Sequence, residues 1–560
     1  VGALILKYGV DVPYWDQWEI APLFEKLSRG SLSFADLFAQ QNEYRQFFPN
    51  LIFVALGRLT RWDVRYEMLF SFLLACLVSL NVYRLCARTI VDPRRRGLSL
   101  LLANLLIFSA IQWENWLFGV QVVYFMPIAC VTTGVLVAYS ERLGTGAKFL
   151  VCAGLSVVST FSSANGILCW LVLLPALVLA RPHARAAEWR RWLPLWAAGL
   201  ASSVALYLYD YQKPMSHPSL SEALSRPADA LVYFLAFLGG PLAVGRHRLA
   251  VAVVVGAALA VAFAFACAYL YKFREDGALV RRLIGWAMVG AYSVGTAAMV
   301  TAGRLGFGVG QSLSSRYTTF SLYLFVALIY LLPCILDDAE RRGYLAKHRA
   351  WPNRLAASAA VSLVLAHVLI FVLVIRHNAV GARQGRLRAK ACLLFINVVP
   401  EERCLTENLY PNLSRLRDRA DALDRVGFLR PALIRSRSVR AVAADAGGCS
   451  ELYGSFDDLS AAAGVYVASG RAWLPDRDEP ADAVVLAYRR GEGEDTAFAL
   501  AEVNVERDPT GASGEVARWR ESFSADSLAP GPVELTAWAF DAADGKAHEL
   551  CGARRVQRPE

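Results

Sequence analysis

Charge is scarce in this chain of 560 residues: 19% are Asp, Glu, Lys or Arg, while 56% are hydrophobic. A soluble globular protein carries about 25% charged and about 45–50% apolar residues. A soluble domain and a disordered chain are therefore both excluded. Nucleic-acid binding is excluded as well, because it would gather basic side chains into stripes on a polar face. The 11 cysteines include no C-x-x-C pair, so a structural zinc site is not expected. No Walker A loop, G-x-S-x-G elbow, H-E-x-x-H pair or Rossmann fingerprint occurs in a fitting context. No internal repeat is visible either.

What the chain does have is long apolar runs, and its mean hydropathy is +0.37. A bilayer core needs about 20 mostly apolar residues per helix. One such run ends near residue 10 and reads as the end of a helix that begins before Val1. It lacks the small-residue cleavage site of a signal peptide. Further spans are expected near 66–86, 98–117, 119–139, 147–163, 166–182, 193–209, 249–271, 284–302, 317–336 and 356–376, eleven in all. The fold class is thus a polytopic α-helical membrane protein.

Net charge adds a direction. Residues 441–560 hold 11 Lys+Arg against 22 Asp+Glu, and residues 1–440 hold 47 against 26. Much of the basic excess falls in four short loops. These are Arg84 to Arg96; Arg181, Arg185, Arg190 and Arg191; Lys272 to Arg282; and Arg341, Arg342, Lys347, Arg349 and Arg354. The positive-inside rule makes these loops cytoplasmic. Parity then requires the stretch 230–244, with its Gly239-Gly240-Pro241, to enter without crossing, as a re-entrant segment. The loop 11–65, the turns at 112–118 and 162–166, the segment 210–248, the loop 303–316 and everything after 377 share the outer face. Three parts follow: a transmembrane domain over 1–376 with the outer loop 11–65, a helical connector over 377–439, and a C-terminal domain over 440–560. Short alternating runs such as Ala483-Val-Val-Leu-Ala-Tyr, separated by turns, predict a β-sandwich on the periplasmic or extracellular side. Trp473, Trp519 and Trp538 would serve it as core aromatics or as a sugar-stacking face.

Seven cysteines fall in or beside spans as small apolar fillers. Cys392, Cys404, Cys449 and Cys551 lie in the external part, an even number suited to an oxidising compartment. Four cysteines allow three pairings. A clip Cys392–Cys404 with a staple Cys449–Cys551 is the favoured one.

Four outer-face stretches carry candidate chemistry. The first loop holds Asp11, Asp16, Glu19, Asn42, Glu43 and Arg45 among Tyr14, Trp15, Trp18 and Tyr44. A carboxylate in a half-apolar setting can act as a general base. A helix from 17 to 29 would turn Asp16 and Glu19 to one cleft, or the pair would merely form a capping box on an amphipathic surface helix. Glu114 lies with three amides, Gln112, Asn115 and Gln121, between two linked spans. Ser162-Ser163-Ala-Asn165-Gly166 forms a polar turn. Arg304 and Arg316 bracket the Gly-rich loop Gly306-Phe-Gly308-Val-Gly310. Arginine beside exposed backbone N–H groups suits a phosphate, although such loops are also plain connectors.

The set Pro13-Tyr14-Trp15-Asp16-Gln17-Trp18-Glu19, Asn42-Glu43-Tyr44-Arg45, Glu114-Asn115 with Gly119-Val-Gln121, Ala164-Asn165-Gly166 and Ser315-Arg316-Tyr317 resembles the GT-C superfamily of membrane glycosyltransferases. It is most similar to bacterial polytopic proteins with an Asn-Glu-His-Arg motif in the first loop, over roughly residues 1–435. Tyr44 stands where that motif has His. The resemblance implies transfer of a sugar from a polyprenyl-phosphate donor to a glycan, lipid or protein acceptor at the outer face of a bacterial inner membrane, by an inverting route. It implies Asp16 as base, with Asp11 as its rival. Glu19, Asn42, Glu43, Glu114 and Asn115 would bind the acceptor or support the base. Arg304 and Arg316, then Arg45 and Arg246, would hold the donor phosphate. Some members use a divalent metal such as Mg or Mn and others none. The alternative function is a glycolipid or oligosaccharide transporter or flippase, which would carry charge at span centres. A surface scaffold is a third reading and leaves the acids of the first loop unexplained.

Overall fold

The structure, a computed structural model, describes residues 1–180, 186–214, 217–344, 350–444, 448–462, 464–491, 493–507 and 515–558. Arg181, Arg185, Lys347 and Arg349 of the basic loops, and the turn at 509–511, lie outside the described residues. The chain divides into two compact units. One comprises 1–9, 33–53 and 65–379, and the other 10–32, 54–64 and 380–560. Two pieces of the stretch 10–64 thus belong with the C-terminal part, a division that spacing along the sequence does not reveal.

Among the described residues, seven helices are long and apolar enough to cross a membrane. They are Arg65–Thr89, Pro93–Trp116, Gly119–Ala138, Arg248–Lys272, Gly277–Phe307, Ser315–Arg341 and Ala357–Leu394. Four shorter apolar helices accompany them: Phe47–Thr60, Thr145–Thr160, Ala164–Leu179 and Pro227–Leu242. At 1.5 Å rise per residue a helix of about 15 residues covers only about 22 Å of a hydrocarbon core about 30 Å thick. Helix Phe47–Thr60 was not foreseen, since it falls inside a stretch read as loop. Gly119–Ala138 and Ser315–Arg341 form the buried centre of the first unit. Arg248–Lys272 instead exposes Val254, Val261 and Phe265, an apolar outer stripe of the kind that lipid covers.

The stretch 230–244 is a helix, Pro227–Gly239, ending in a 3-10 turn Gly240–Leu242. It lies against Arg248–Lys272 at backbone contact. A Cβ on Gly239 would sit 1.9 Å from the Ala252 carbonyl oxygen, and one on Gly256 would sit 1.8 Å from that of Leu235. Small residues at both crossing points allow this approach. The turn at 162–166 is also tightly bonded. Asn165 Nδ2 donates to the Tyr292 hydroxyl at 2.8 Å, and Ser163 Oγ donates to Asn165 Oδ1 at 2.8 Å.

A short hairpin with two residues in each strand, β1 (Gln40–Gln41) and β2 (Tyr44–Arg45), belongs to the first unit. The second unit contains helices Ala21–Ser28, Val380–Leu394, Glu402–Asn408 and Leu413–Arg425, then an antiparallel sheet. Its strands are β3 (Gly454–Ala462), β4 (Val465–Leu474), β5 (Glu479–Pro480), β6 (Ala483–Arg489), β7 (Thr496–Arg507), β8 (Glu515–Ser524), β9 (Gly531–Asp541), β10 (Lys546–Glu549) and β11 (Arg554–Arg558). The spatial order is β10-β9-β6-β7-β8-β4-β3, with β11 also on β9 and β5 on β4.

The expected sandwich of two sheets is replaced by one sheet that curls until its ends meet, close to a barrel. Phe456 N donates to the Cys551 carbonyl at 2.7 Å, and Ser455 bridges Cys551. Extra residues in β3 and β7, where the register of the β3–β4 and β6–β7 pairs shifts, help the bend. Closure hides the edges of the sheet. Ala483 to Ala487 are all buried, because alternate residues enter two cores. Val484 and Leu486 point inside the curl. Ala483, Val485 and Ala487 face Ala391, Leu394 and Phe395 of the connector helix. Trp519 belongs to the inner core and Trp538 to the outer one, so the two cannot share a stacking face. Cys392 is bonded to Cys404 and Cys449 to Cys551, the pairs favoured above. The seven free cysteines all belong to the first unit.

Candidate functional site

The hairpin turn carries Asn42 at φ 54°, a left-handed conformation that Asn tolerates better than most residues. This turn presents Glu43 and Tyr44 on one side and anchors itself through Arg45. The Arg45 guanidinium donates to the carbonyls of Phe38 at 3.1 Å and Tyr207 at 2.9 Å, and also to that of Tyr209, while stacking over the Phe38 ring. The Tyr207 hydroxyl donates to the Glu43 carbonyl at 2.9 Å. Arg45 therefore spends its donors on backbone.

Glu43 forms an ion pair with Arg304, at the end of helix Gly277–Arg304, and His217 Nδ1 lies 2.8 Å from its other oxygen. The three side chains are only 12–18% exposed. Arg304 also reaches the Tyr44 hydroxyl at 3.4 Å and covers the Phe307 ring. Beyond Phe307 the chain turns at Gly308, φ 95°, which only glycine adopts without cost.

Arg316, at the other end of this loop, has a different setting. It occupies the first turn of helix Ser315–Arg341, which is bonded tightly to the segment 111–115. Ser315 Oγ donates to the Ile111 carbonyl at 2.7 Å. Asn115 Nδ2 donates to the Arg316 carbonyl at 2.9 Å and to Thr319 Oγ1 at 2.6 Å, and Thr319 Oγ1 donates to Gln112 Oε1 at 2.5 Å. The Arg316 guanidinium, by contrast, makes neither a hydrogen bond nor an ion pair with any described residue, and its Nε is buried without a partner. Tyr44, Tyr124, Tyr317 and Glu114 lie in electrostatic range, and Tyr233 is within range of Arg316 too. Asn115 Oδ1 and Gln311 Oε1 are likewise buried and unbonded. Burial pushes the Tyr44 hydroxyl well above the usual phenol range, so it keeps its proton. Buried polar groups nearly always find partners. An unmet N–H on a guanidinium is a donor suited to an anionic ligand.

The other acids of the first loop belong to the second unit. Asp11 accepts from Val64 N at 3.2 Å, holding a turn in which Arg61 and Trp62 have φ 56° and 59°. Asp16 is exposed on a 3-10 turn, Trp15–Glu19, whose first residue has φ 45°. A left-handed aromatic is strained. Trp15 is held there by donating its N–H to the Leu409 carbonyl at 2.8 Å. The expected helix over 17–29 starts only at Ala21, with Pro22 in its first turn, and the Asp16–Glu19 capping box does not form. Glu19 is instead gripped by Arg419 at 3.0 and 2.8 Å and by the Tyr410 hydroxyl. Burial raises the Glu19 carboxyl, but these bonds and the nearby arginine charges outweigh it and hold the group below its ordinary range.

The structure thus brings Glu43, Glu114, Asn115, Arg304 and Arg316 into the first unit's polar clusters, with Asn42 at the hairpin tip. Arg246 is exposed after the short helix Pro227–Gly239. Sequence reasoning did not single out His217, Tyr410 or Arg419, nor Tyr124 and Tyr233. Arg419 could have been suspected from the polar face of its amphipathic helix. A cleft of about 540 Å³ in the second unit is lined by Glu25, Asp418, Asp421, Ala422, Arg425 and Arg435, none of them among the expected site residues. Among the described residues no group of three or more His, Cys, Asp or Glu side chains is arranged to hold a metal ion. No protein-family model, curated protein or solved structure matches this chain.

Proposed function

We propose that this chain is a membrane glycosyltransferase that moves a sugar from a polyprenyl-phosphate donor to a glycan, lipid or protein acceptor. In this reading the apolar helices cross a bacterial inner membrane eleven times, with 230–244 re-entrant and the basic loops in the cytoplasm. The C-terminal domain then lies outside, on the periplasmic or extracellular face. Two disulfides in the second unit, against free thiols throughout the first, support that orientation, because disulfides persist in oxidising compartments.

The observation that carries the proposal is Arg316. A partly buried guanidinium with no ionic partner, beside the Tyr44 hydroxyl, suits a phosphate that gains negative charge as the anomeric bond breaks. Preorganised donors of this kind lower the barrier most where water is excluded. The resemblance adds the proton acceptor, with Asp16 first and Asp11 second.

The test is equilibrium binding of a polyprenyl-phosphate sugar to the purified chain in lipid nanodiscs, together with release of polyprenyl phosphate. Saturable binding and turnover in the wild type, with affinity lost in Arg316→Ala, is the expected result. Equal affinity in both proteins removes the phosphate site, and movement of labelled lipid between leaflets without turnover favours a flippase.

A further inference from the structure

Glu114 lies on the four-residue helix Trp113–Trp116, one residue before the Asn115 that grips the start of the Arg316 helix. Its backbone N–H reaches Ser315 Oγ at 3.4 Å. Its place beside Arg316 is therefore set by the bonds that join the two segments. The side chain is only partly exposed, yet its carboxylate makes no hydrogen bond with any described residue. It lies in electrostatic range of Arg316 but beyond the 4.0 Å of an ion pair. The other carboxylates singled out in the first loop differ. Glu43 is held by Arg304 and His217, Glu19 by Arg419 and Tyr410, and Asp11 by a backbone N–H, and Asp16 also has a partner.

We infer that Glu114, in place of the Asp16 that the resemblance implies, is the general base at the Arg316 site, taking the proton of the attacking hydroxyl. The inference rests on the transferase reading above. The acceptor O–H bond breaks and its proton passes to the Glu114 carboxylate, while the acceptor oxygen forms the new bond to the anomeric carbon. The bond from that carbon to the phosphate oxygen breaks, and its electron pair leaves on the phosphate beside Arg316. The donor phosphodiester carries one negative charge and the departing polyprenyl phosphate two, so the charge lost by Glu114 is gained by the leaving group. Total charge is unchanged while the charge facing the guanidinium grows. A carboxylate near the donor phosphate repels it in the ground state. Protonation relieves that repulsion as the leaving group forms, an interaction that favours the transition state over bound substrate.

The experiment uses the full chain in nanodiscs with a polyprenyl-phosphate sugar and water as the attacking nucleophile, reading polyprenyl phosphate release and donor affinity separately. Glu114→Gln should slow release by on the order of 100-fold while donor affinity stays equal or tightens. Glu114→Asp should keep part of the rate. Release by Glu114→Gln close to the wild-type rate overturns the assignment and leaves the transferase reading standing, the more so if Asp16→Asn abolishes it. A fall in donor affinity matching the fall in rate also overturns it, making Glu114 a binding group. If the wild type neither binds nor breaks the donor, the transferase reading fails and this inference falls with it.

Discussion

Arg304 and Arg316 stand at the two ends of one glycine-rich loop and look alike in the sequence, yet their surroundings are opposite. Arg304 is neutralised by Glu43, with His217 completing the cluster. Arg316 has its carbonyl bonded by Asn115, while its guanidinium lies over the Tyr317 ring without an ionic partner among the described residues. The same residue type thus serves as a clamp on the hairpin at one end and as an available cation at the other. A paired guanidinium has already spent its electrostatic energy on the protein, and only an unpaired one can add that energy to a ligand.

The largest effect should come from removing the two arginines in parallel. Arg316→Ala is expected to weaken polyprenyl-phosphate binding by about 100-fold, the size of a lost charge-assisted pair. Its melting temperature should hold or rise, because a partly buried cation without an ionic partner costs folding energy. Arg304→Ala should act the other way round, lowering stability by about 2 kcal/mol as Glu43 loses its partner in a mostly buried setting. Binding titrations and thermal melts of both variants in the same detergent check this. Equal melting temperatures would erase the distinction between the two ends of the loop.

Double-mutant cycles sharpen the same contrast at smaller scale. For Glu43→Gln with Arg304→Ala, the coupling in unfolding free energy should be about 2 kcal/mol, as for residues in direct ionic contact. For Glu114→Gln with Arg316→Ala it should be a few tenths of a kcal/mol, since the two groups lie beyond ion-pair distance. Denaturant unfolding of the four single and double variants measures both cycles. A large coupling in the second cycle would mean that Glu114 and Arg316 are simply each other's partners.

How much of this was legible beforehand depended on distance along the chain. Helices such as Arg65–Thr89 and Arg248–Lys272 follow from unbroken apolar runs, and their observed bounds lie close to the expected 66–86 and 249–271. The strand-rich tail was equally plain. Its closure was not, because Ala483 to Ala487 read as one apolar run whether a strand is shared between two sheets or buried on both faces of one. Glu43 and Arg316 were found as residue types in unusual places. Their pairing states were out of reach, since His217 reaches Glu43 from a distant segment and Arg419 reaches Glu19 across 400 residues. Local spacing did mislead at Asp16 and Glu19. An i, i+3 rule presumes an α-helix, and the chain runs through a strained 3-10 turn there instead.

Glu19 supplies the smallest effect and a pH test of the paired state. Its carboxyl is held below the ordinary range by Arg419 and Tyr410 against the opposing pull of burial. A group whose folded pKa is depressed stabilises the fold above its unfolded value, and that contribution disappears as pH falls through the folded value. The window therefore lies below about pH 4.5, near the value of an unfolded Glu. At pH 7 Glu19→Gln should cost about 1 kcal/mol or less, since the pair is partly exposed and screened. Well below that window the variant and the wild type should unfold alike. Taking the difference between the two proteins at each pH cancels the other carboxylates. A difference that stays constant from pH 7 to pH 3 would show that the Arg419 pair contributes through packing rather than through charge, and Glu19 would then cease to be the paired counterpart of Glu114.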